Sequence, residues 1–130
     1  MKYKNLVITQ NAKLFQSIRP ILICVDLDVS QATTYQKAWE LLSCFHYVLV
    51  VADLSFPDVD GIKLIHSLRR LAQVPILAVT SKYTTEEELQ VLFADADDYL
   101  DCGVVLDSER CLAYVKQLND HLWEGRYSPV

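Results

Sequence analysis

One acid stands out by its setting. The short apolar, β-branched-rich run Val48–Val51 is followed by Asp53, and then by Pro57, Asp58, Asp60 and Gly61. Such a run, bounded by turn formers, suits a strand buried on both faces of a parallel sheet. An acid at the carboxyl end of such a strand lies where open α/β sheets place their chemistry. Taken alone, such an acid could also simply be bonded to backbone amides at the strand end. A second candidate is the pair Asp26 and Asp28, which follows the apolar run Ile21–Val25. A third is Thr80, a hydroxyl at the end of the apolar stretch VPILAVT, Val74–Thr80. The four cysteines, Cys24, Cys44, Cys102 and Cys111, form no C-x-x-C pair and read as free thiols. His46, His66 and His121 are scattered and read as structural or surface residues, so no metal ligands are expected.

These residues need a scaffold to bring them together. Leu6–Ile8 is a short run of β character closed by Thr9, Gln10 and Asn11. Leu14, Phe15 and Ile18 then recur at helical spacing. Asn11 suits the cap of that helix, and Pro20 is expected to stop it after about two turns. Ile21–Val25 reads as a second strand. Tyr35, Ala38, Trp39 and Leu42 fall at i, i+3, i+4 and i+7, an amphipathic helix. The Asp53 run is the third strand, and Ile62, Leu64, Ile65, Leu68 and Leu71 mark the helix after it. Val74–Thr80 is the fourth strand. Thr84 with Glu87 makes a capping box for a helix whose expected apolar face is Leu89, Leu92 and Phe93. Asp98–Leu100 opens a fifth strand that could run on to Leu106. Asp107 or Ser108 caps a last helix with Leu112, Val115, Leu118 and Leu122 on its apolar side. Strand and helix alternate five times, which implies a parallel sheet covered on both faces by right-handed crossovers.

The whole chain fits this plan. Its 130 residues suffice for one domain, and 52% hydrophobic content supplies a full core. A net charge of −5 argues against this domain gripping nucleic acid, which needs clustered Lys and Arg. No signal peptide or membrane-length apolar stretch is present in the sequence, so a reducing cytoplasm is the expected compartment. Residues 1–123 are expected to form the domain. Residues 124–130, with Gly125 and Pro129, read as a tail or the start of a linker to an output domain.

The order of elements and the motif D-L-x-x-P-x-x-D-G at Asp53–Gly61 resemble the receiver domain of two-component response regulators. VPILAVTS (Val74–Ser81) and DADDYL (Asp95–Leu100) fit the same family's fourth strand and its entry to the fifth. The resemblance covers roughly residues 4–122. It implies a flavodoxin-like, doubly wound sheet of five parallel strands in order 2-1-3-4-5, with helices on both faces. It also implies signal transduction through a phosphorelay, with a histidine kinase as phosphodonor. In this family a carboxylate accepts the phosphoryl group, an acid pair helps hold Mg²⁺, and a hydroxyl and a lysine receive the phosphoryl charge. An aromatic residue then responds by moving inward.

Carried over position by position, Asp53 matches the phosphoacceptor, Thr80 the hydroxyl and Tyr99 the aromatic switch. The acid pair falls on Thr9 and Gln10, and the lysine falls on Cys102, so three expected charges are replaced by neutral groups. The glycine usual before A-D-D-Y is Asp95. Thr and Gln are poor ligands for Mg²⁺, which prefers carboxylates and its own waters. Weak or absent Mg²⁺ binding and impaired phosphorylation of Asp53 are therefore expected.

The resemblance and its departures together imply an atypical receiver domain, with no catalytic residues of its own, that regulates an attached or partner DNA-binding domain by protein contact. A homodimer through the fourth helix, fifth strand and last helix is implied by the resemblance. Asp97, Asp98 and Asp101 make that face acidic, with Arg110 and Lys116 as candidate partners. One alternative is a conventional phosphoaccepting receiver at Asp53. Another is a haloacid-dehalogenase-like phosphohydrolase using Asp26 and Asp28, with Thr80, Asp97 and Asp98 in later motifs. That reading leaves Asp53–Gly61 unused.

Overall fold

A computed structural model describes residues 3–24, 27–55 and 60–123. Asp26, Pro57, Asp58 and the tail 124–130 lie outside them. Eleven elements follow one another along the described chain: β1 (Tyr3–Ile8), α1 (Ala12–Cys24), β2 (Leu27–Ala32), α2 (Tyr35–Cys44), β3 (Leu49–Asp53), α3 (Gly61–Leu71), β4 (Ile76–Thr80), α4 (Thr85–Phe93), β5 (Asp98–Asp101), α5 (Cys102–Leu106) and α6 (Ser108–Trp123). The strands are all parallel, in order β2-β1-β3-β4-β5. The alternation of elements implied the parallel sheet, and the receiver-domain resemblance implied this flavodoxin-like strand order.

Strand alternation divides the core into two layers. Leu6, Ile8, Val50, Ala52, Ile76 and Ala78 face α2, α3 and α4, while Val7, Leu49, Val51, Leu77 and Val79 face α1, α5 and α6. β3 and β4 are buried along their whole length. That explains why both read as unbroken apolar runs.

Two expectations fail at the start of the chain. Ile21–Cys24 is not a strand but the last turn of α1, which runs through Pro20. Leu14, Ile18, Ile21 and Leu22 form one buried stripe, so the helix gains core contacts by continuing. Pro20 lies on the exposed side, where water can serve the carbonyl left without a donor. The second strand is Leu27–Ala32. Within it Asp28 pairs with Lys4, near the amino-terminal edge of the sheet, whereas Thr80 ends β4 at the opposite edge. Of the phosphohydrolase set, Asp28 and Thr80 are therefore held at opposite ends of the sheet.

The other differences are local. β5 stops at Asp101, whose carboxylate accepts the Gly103 N–H at 2.7 Å and caps α5. Leu89, Leu92 and Phe93 do not face the core of the molecule; they are exposed. The inner stripe of α4 is Val91 with Ala94, on the same side as Glu87. A carboxylate on that stripe hid it from a hydrophobic reading. Asn11 does cap α1, accepting from the Lys13 and Leu14 N–H groups, and Asp107 accepts from the Arg110 N–H at the start of α6. The side chains of Leu118 and Leu122 lie outside the described set.

Asp95 adopts φ 80°, the left-handed region that favours glycine. Arg69 compensates. Its guanidinium donates twice to the Asp95 carbonyl, at 3.1 and 2.8 Å, and again to the Val74 carbonyl at 2.7 Å. It also donates to the Asp97 carboxylate at 3.0 Å, which in turn accepts the Ile76 N–H at 2.7 Å. Asp97 is thus a buried partner of Arg69, not a surface acid.

Candidate functional site

The carboxyl ends of β1, β3 and β4 meet at Asp53. Its side chain follows the Leu49–Val51 face of β3 and is 6% exposed. The Thr9 hydroxyl donates to Asp53 Oδ2 at 2.7 Å, and the Ser55 N–H donates to Oδ1 at 2.9 Å. Each carboxylate oxygen therefore already has a donor within the chain. Thr9 is itself fully buried and fixed. Its carbonyl accepts from Gln31 Nε2, and its hydroxyl oxygen accepts the Asn11 N–H. Gln10 is exposed, so of the two acid-pair positions only Thr9 is brought to Asp53.

Cys102 begins α5 and packs against the same layer. Its thiol is pushed above the usual range, first by burial and then by the negative charges of Asp53 and Asp101. A neutral SH group thus stands within electrostatic reach of the carboxylate. Among the described residues no cluster of three His, Cys, Asp or Glu side chains could hold a metal ion. Among the described residues, the donors to the Asp53 carboxylate are a hydroxyl and an amide N–H.

Thr80 and Tyr99 lie on the other layer. Thr80 is buried at the end of β4, and its hydroxyl oxygen accepts the Lys82 N–H at 3.1 Å. The Tyr99 ring is 2% exposed and packs on Tyr83 with centroids 5.0 Å apart. Its hydroxyl donates to the Glu87 carboxylate of α4. Burial and Glu87 together push the Tyr99 phenol up to about 12. Thr80 and Tyr99 are neighbours, but among the described residues no hydrogen bond joins Thr80 to Asp53.

Three further contributors were not singled out from the sequence. Tyr35, read only as an apolar helix position, donates its hydroxyl to the Asp53 carbonyl at 2.9 Å. Burial, then the Asp53 charge, hold its phenol well above the usual range. Ser55 and Ser81 join the loops after β3 and β4: their hydroxyls are 2.9 Å apart, and the Ser81 N–H donates to the Ser55 hydroxyl oxygen at 2.9 Å. No spacing in the sequence marked either serine.

This fold, with an acid and a hydroxyl at the ends of its third and fourth strands, agrees with sequence comparison. The family model described as response regulator receiver domain matches residues 6–108. The chain belongs to the response regulator receiver domain family. The transcriptional regulatory protein SrrA of Staphylococcus aureus is 26% identical over 100 residues, 77% of this chain and 42% of SrrA. The chain thus spans less than half the length of the curated relatives it matches. Among solved structures, the receiver domain of the Francisella response regulator 1452 is 25% identical with a TM-score of 0.77, covering 92% of this chain and 98% of that one. A CheY-like receiver domain protein from Methanospirillum hungatei shares the fold at 21% identity and a TM-score of 0.83, with 95% and 98% covered. Receiver domains are signalling modules of two-component systems. Among the described residues no helix is long and apolar enough to cross a membrane.

Proposed function

We propose that this receiver domain signals by protein contact, with Mg²⁺-dependent phosphorylation of Asp53 impaired or lost. The observation that carries this reading is the pair of internal donors on the Asp53 carboxylate, Thr9 on one oxygen and Ser55 on the other. To bind Mg²⁺, the site would have to displace a buried hydroxyl hydrogen bond, and its described residues offer one carboxylate where the ion prefers several oxygen ligands. The neutral Cys102 supplies no positive charge for an incoming phosphoryl group. Each contact of that kind is typically worth about two to three powers of ten in rate.

A conventional phosphoacceptor role is the second reading. It is favoured by Asp53 and Thr80 lying buried at the carboxyl ends of β3 and β4, with Tyr99 buried on the neighbouring strand beside Thr80. Beryllofluoride with Mg²⁺ separates the two. Under the first reading the amide resonances around Asp53 and Tyr99 stay in place; under the second they shift at millimolar Mg²⁺.

The proposed partners are a histidine kinase on the input side and an attached or separate DNA-binding protein on the output side, in the cytoplasm. The relation to a transcriptional regulatory protein supports the output, and the chain's negative charge supports reading DNA through another domain. Self-association belongs to the same proposal. On the expected face of α4, β5 and α6, however, the acids are engaged internally: Asp98 accepts from the Tyr114 hydroxyl, Asp97 from Arg69, and Asp101 from Gly103.

A further inference from the structure

α3 and α4 lie side by side on one face of the sheet, and each runs antiparallel to its strands. The two helices are therefore parallel to each other. The exposed stripe of α3 is Lys63, His66 and Arg70, at i, i+3 and i+7, with exposed Leu71 at its end. The exposed stripe of α4 is Glu86, Leu89 and Phe93, at the same spacing, with Leu92 beside it. Leu89 is 55% exposed and Phe93 87% exposed. Lys63, Arg70 and Glu86 have no ion-pair partner among the described residues.

The two stripes differ in sign: α3 presents Lys63 and Arg70, with the exposed cap Asp60 before its first turn, α4 presents Glu86, and both carry apolar groups at their carboxyl ends. Such neighbours are self-complementary. A two-fold axis running between and along the helices lays α4 of one copy over α3 of the other in the same direction. Lys63 then meets Glu86 of the second copy, and the Arg70 and Leu71 end meets Leu92 and Phe93. Arg70 over Phe93 adds a cation–π contact. An exposed apolar patch rimmed by charge is the kind that marks an interaction site.

We propose that a second copy of this chain docks on the α3–α4 face. This rests on the reading that the domain works by protein contact, and it replaces the α4–β5–α6 face as the surface used. Helices of 11 and 9 residues are only about 14–16 Å long, which makes a small interface. Association is therefore weak, setting in at roughly micromolar concentrations or above.

Sedimentation velocity under reducing conditions, over a concentration series, tests it. The wild-type chain should form a dimer that weakens with salt. Lys63→Glu with Arg70→Glu, and separately Glu86→Lys with Phe93→Lys, should each weaken self-association by at least about tenfold. All four positions are exposed, and circular dichroism checks that both variants fold. An equimolar mixture of the two variants should dimerise again, because one α3–α4 contact is then native and the other has its charges exchanged. Self-association untouched by either variant but abolished by Arg110→Glu with Lys116→Glu would assign the dimer to the other face and overturn the proposal. So would a wild-type chain that stays monomeric throughout. The beryllofluoride measurement reads the state of Asp53 separately from either outcome.

Discussion

The Thr9 hydroxyl donates to Asp53 Oδ2 at 2.7 Å, joining the carboxyl ends of β1 and β3 through two buried side chains. A threonine at this place supplies a hydrogen, where an acid would supply charge for a cation. Replacing it by valine leaves a buried carboxylate oxygen without its donor. Thr9→Val should cost about 1–3 kcal/mol in urea unfolding, and Thr9→Ser, which keeps the hydroxyl, much less. Equal losses in the two variants would mean that the methyl group matters and the hydrogen bond does not.

Tyr35 ties α2 to the carbonyl of Asp53. Tyr35→Phe keeps the ring, which packs against Trp39 at 5.9 Å, and removes only the hydroxyl. A loss of about 1 kcal/mol is expected. Hydrogen exchange at the end of β3 should quicken with it. Unchanged exchange would show that the hydroxyl plays no part in holding that strand end.

Much of this was legible from residue order because the central strands announce themselves. β3 and β4 are buried on both faces, so their apolar runs admit one reading, and the Asp53 turn follows directly. Thr84 was equally plain: its hydroxyl accepts the Glu87 N–H as a cap should. Ile21–Cys24 was not legible, because a short apolar run looks the same as a buried strand or as the last turn of a buried helix. α4 was misjudged because its inner stripe includes Glu87, whose carboxylate serves Tyr99. Tyr35 and Ser55 were missed because their roles rest on contacts between elements distant in sequence, which spacing does not encode.

Arg69 holds the carbonyls of Val74 and Asp95 and the buried carboxylate of Asp97, so it fixes the turn into β4 and the entry to β5 together. Arg69→Met fits the volume but strands Asp97 without its counter-charge. A loss of about 3–5 kcal/mol is expected, measured by denaturant unfolding. A loss below 1 kcal/mol, on the order of an exposed pair, would contradict the buried clamp.

Burial raises the Cys111 thiol from its ordinary 9.0 to about 11. The folded state then keeps its proton where the unfolded chain has lost it. The contribution is complete below about pH 9 and is lost progressively as pH rises towards 11. Stability should therefore fall over that window, and Cys111→Ala should flatten that part of the profile. An identical alkaline decline in the variant would assign it to other groups, such as the raised Tyr99 phenol.

The central claim is that Asp53 is held by internal donors and has lost the charges that phosphoryl chemistry needs. The most direct measurement is amide-resolved NMR with beryllofluoride and a Mg²⁺ titration, run on the wild-type chain and on Thr9→Asp with Gln10→Asp and Cys102→Lys. The wild-type resonances around Asp53 and Tyr99 should stay in place, and those of the triple variant should move as the ion binds. Saturable shifts in the wild-type chain at millimolar Mg²⁺ would contradict the account.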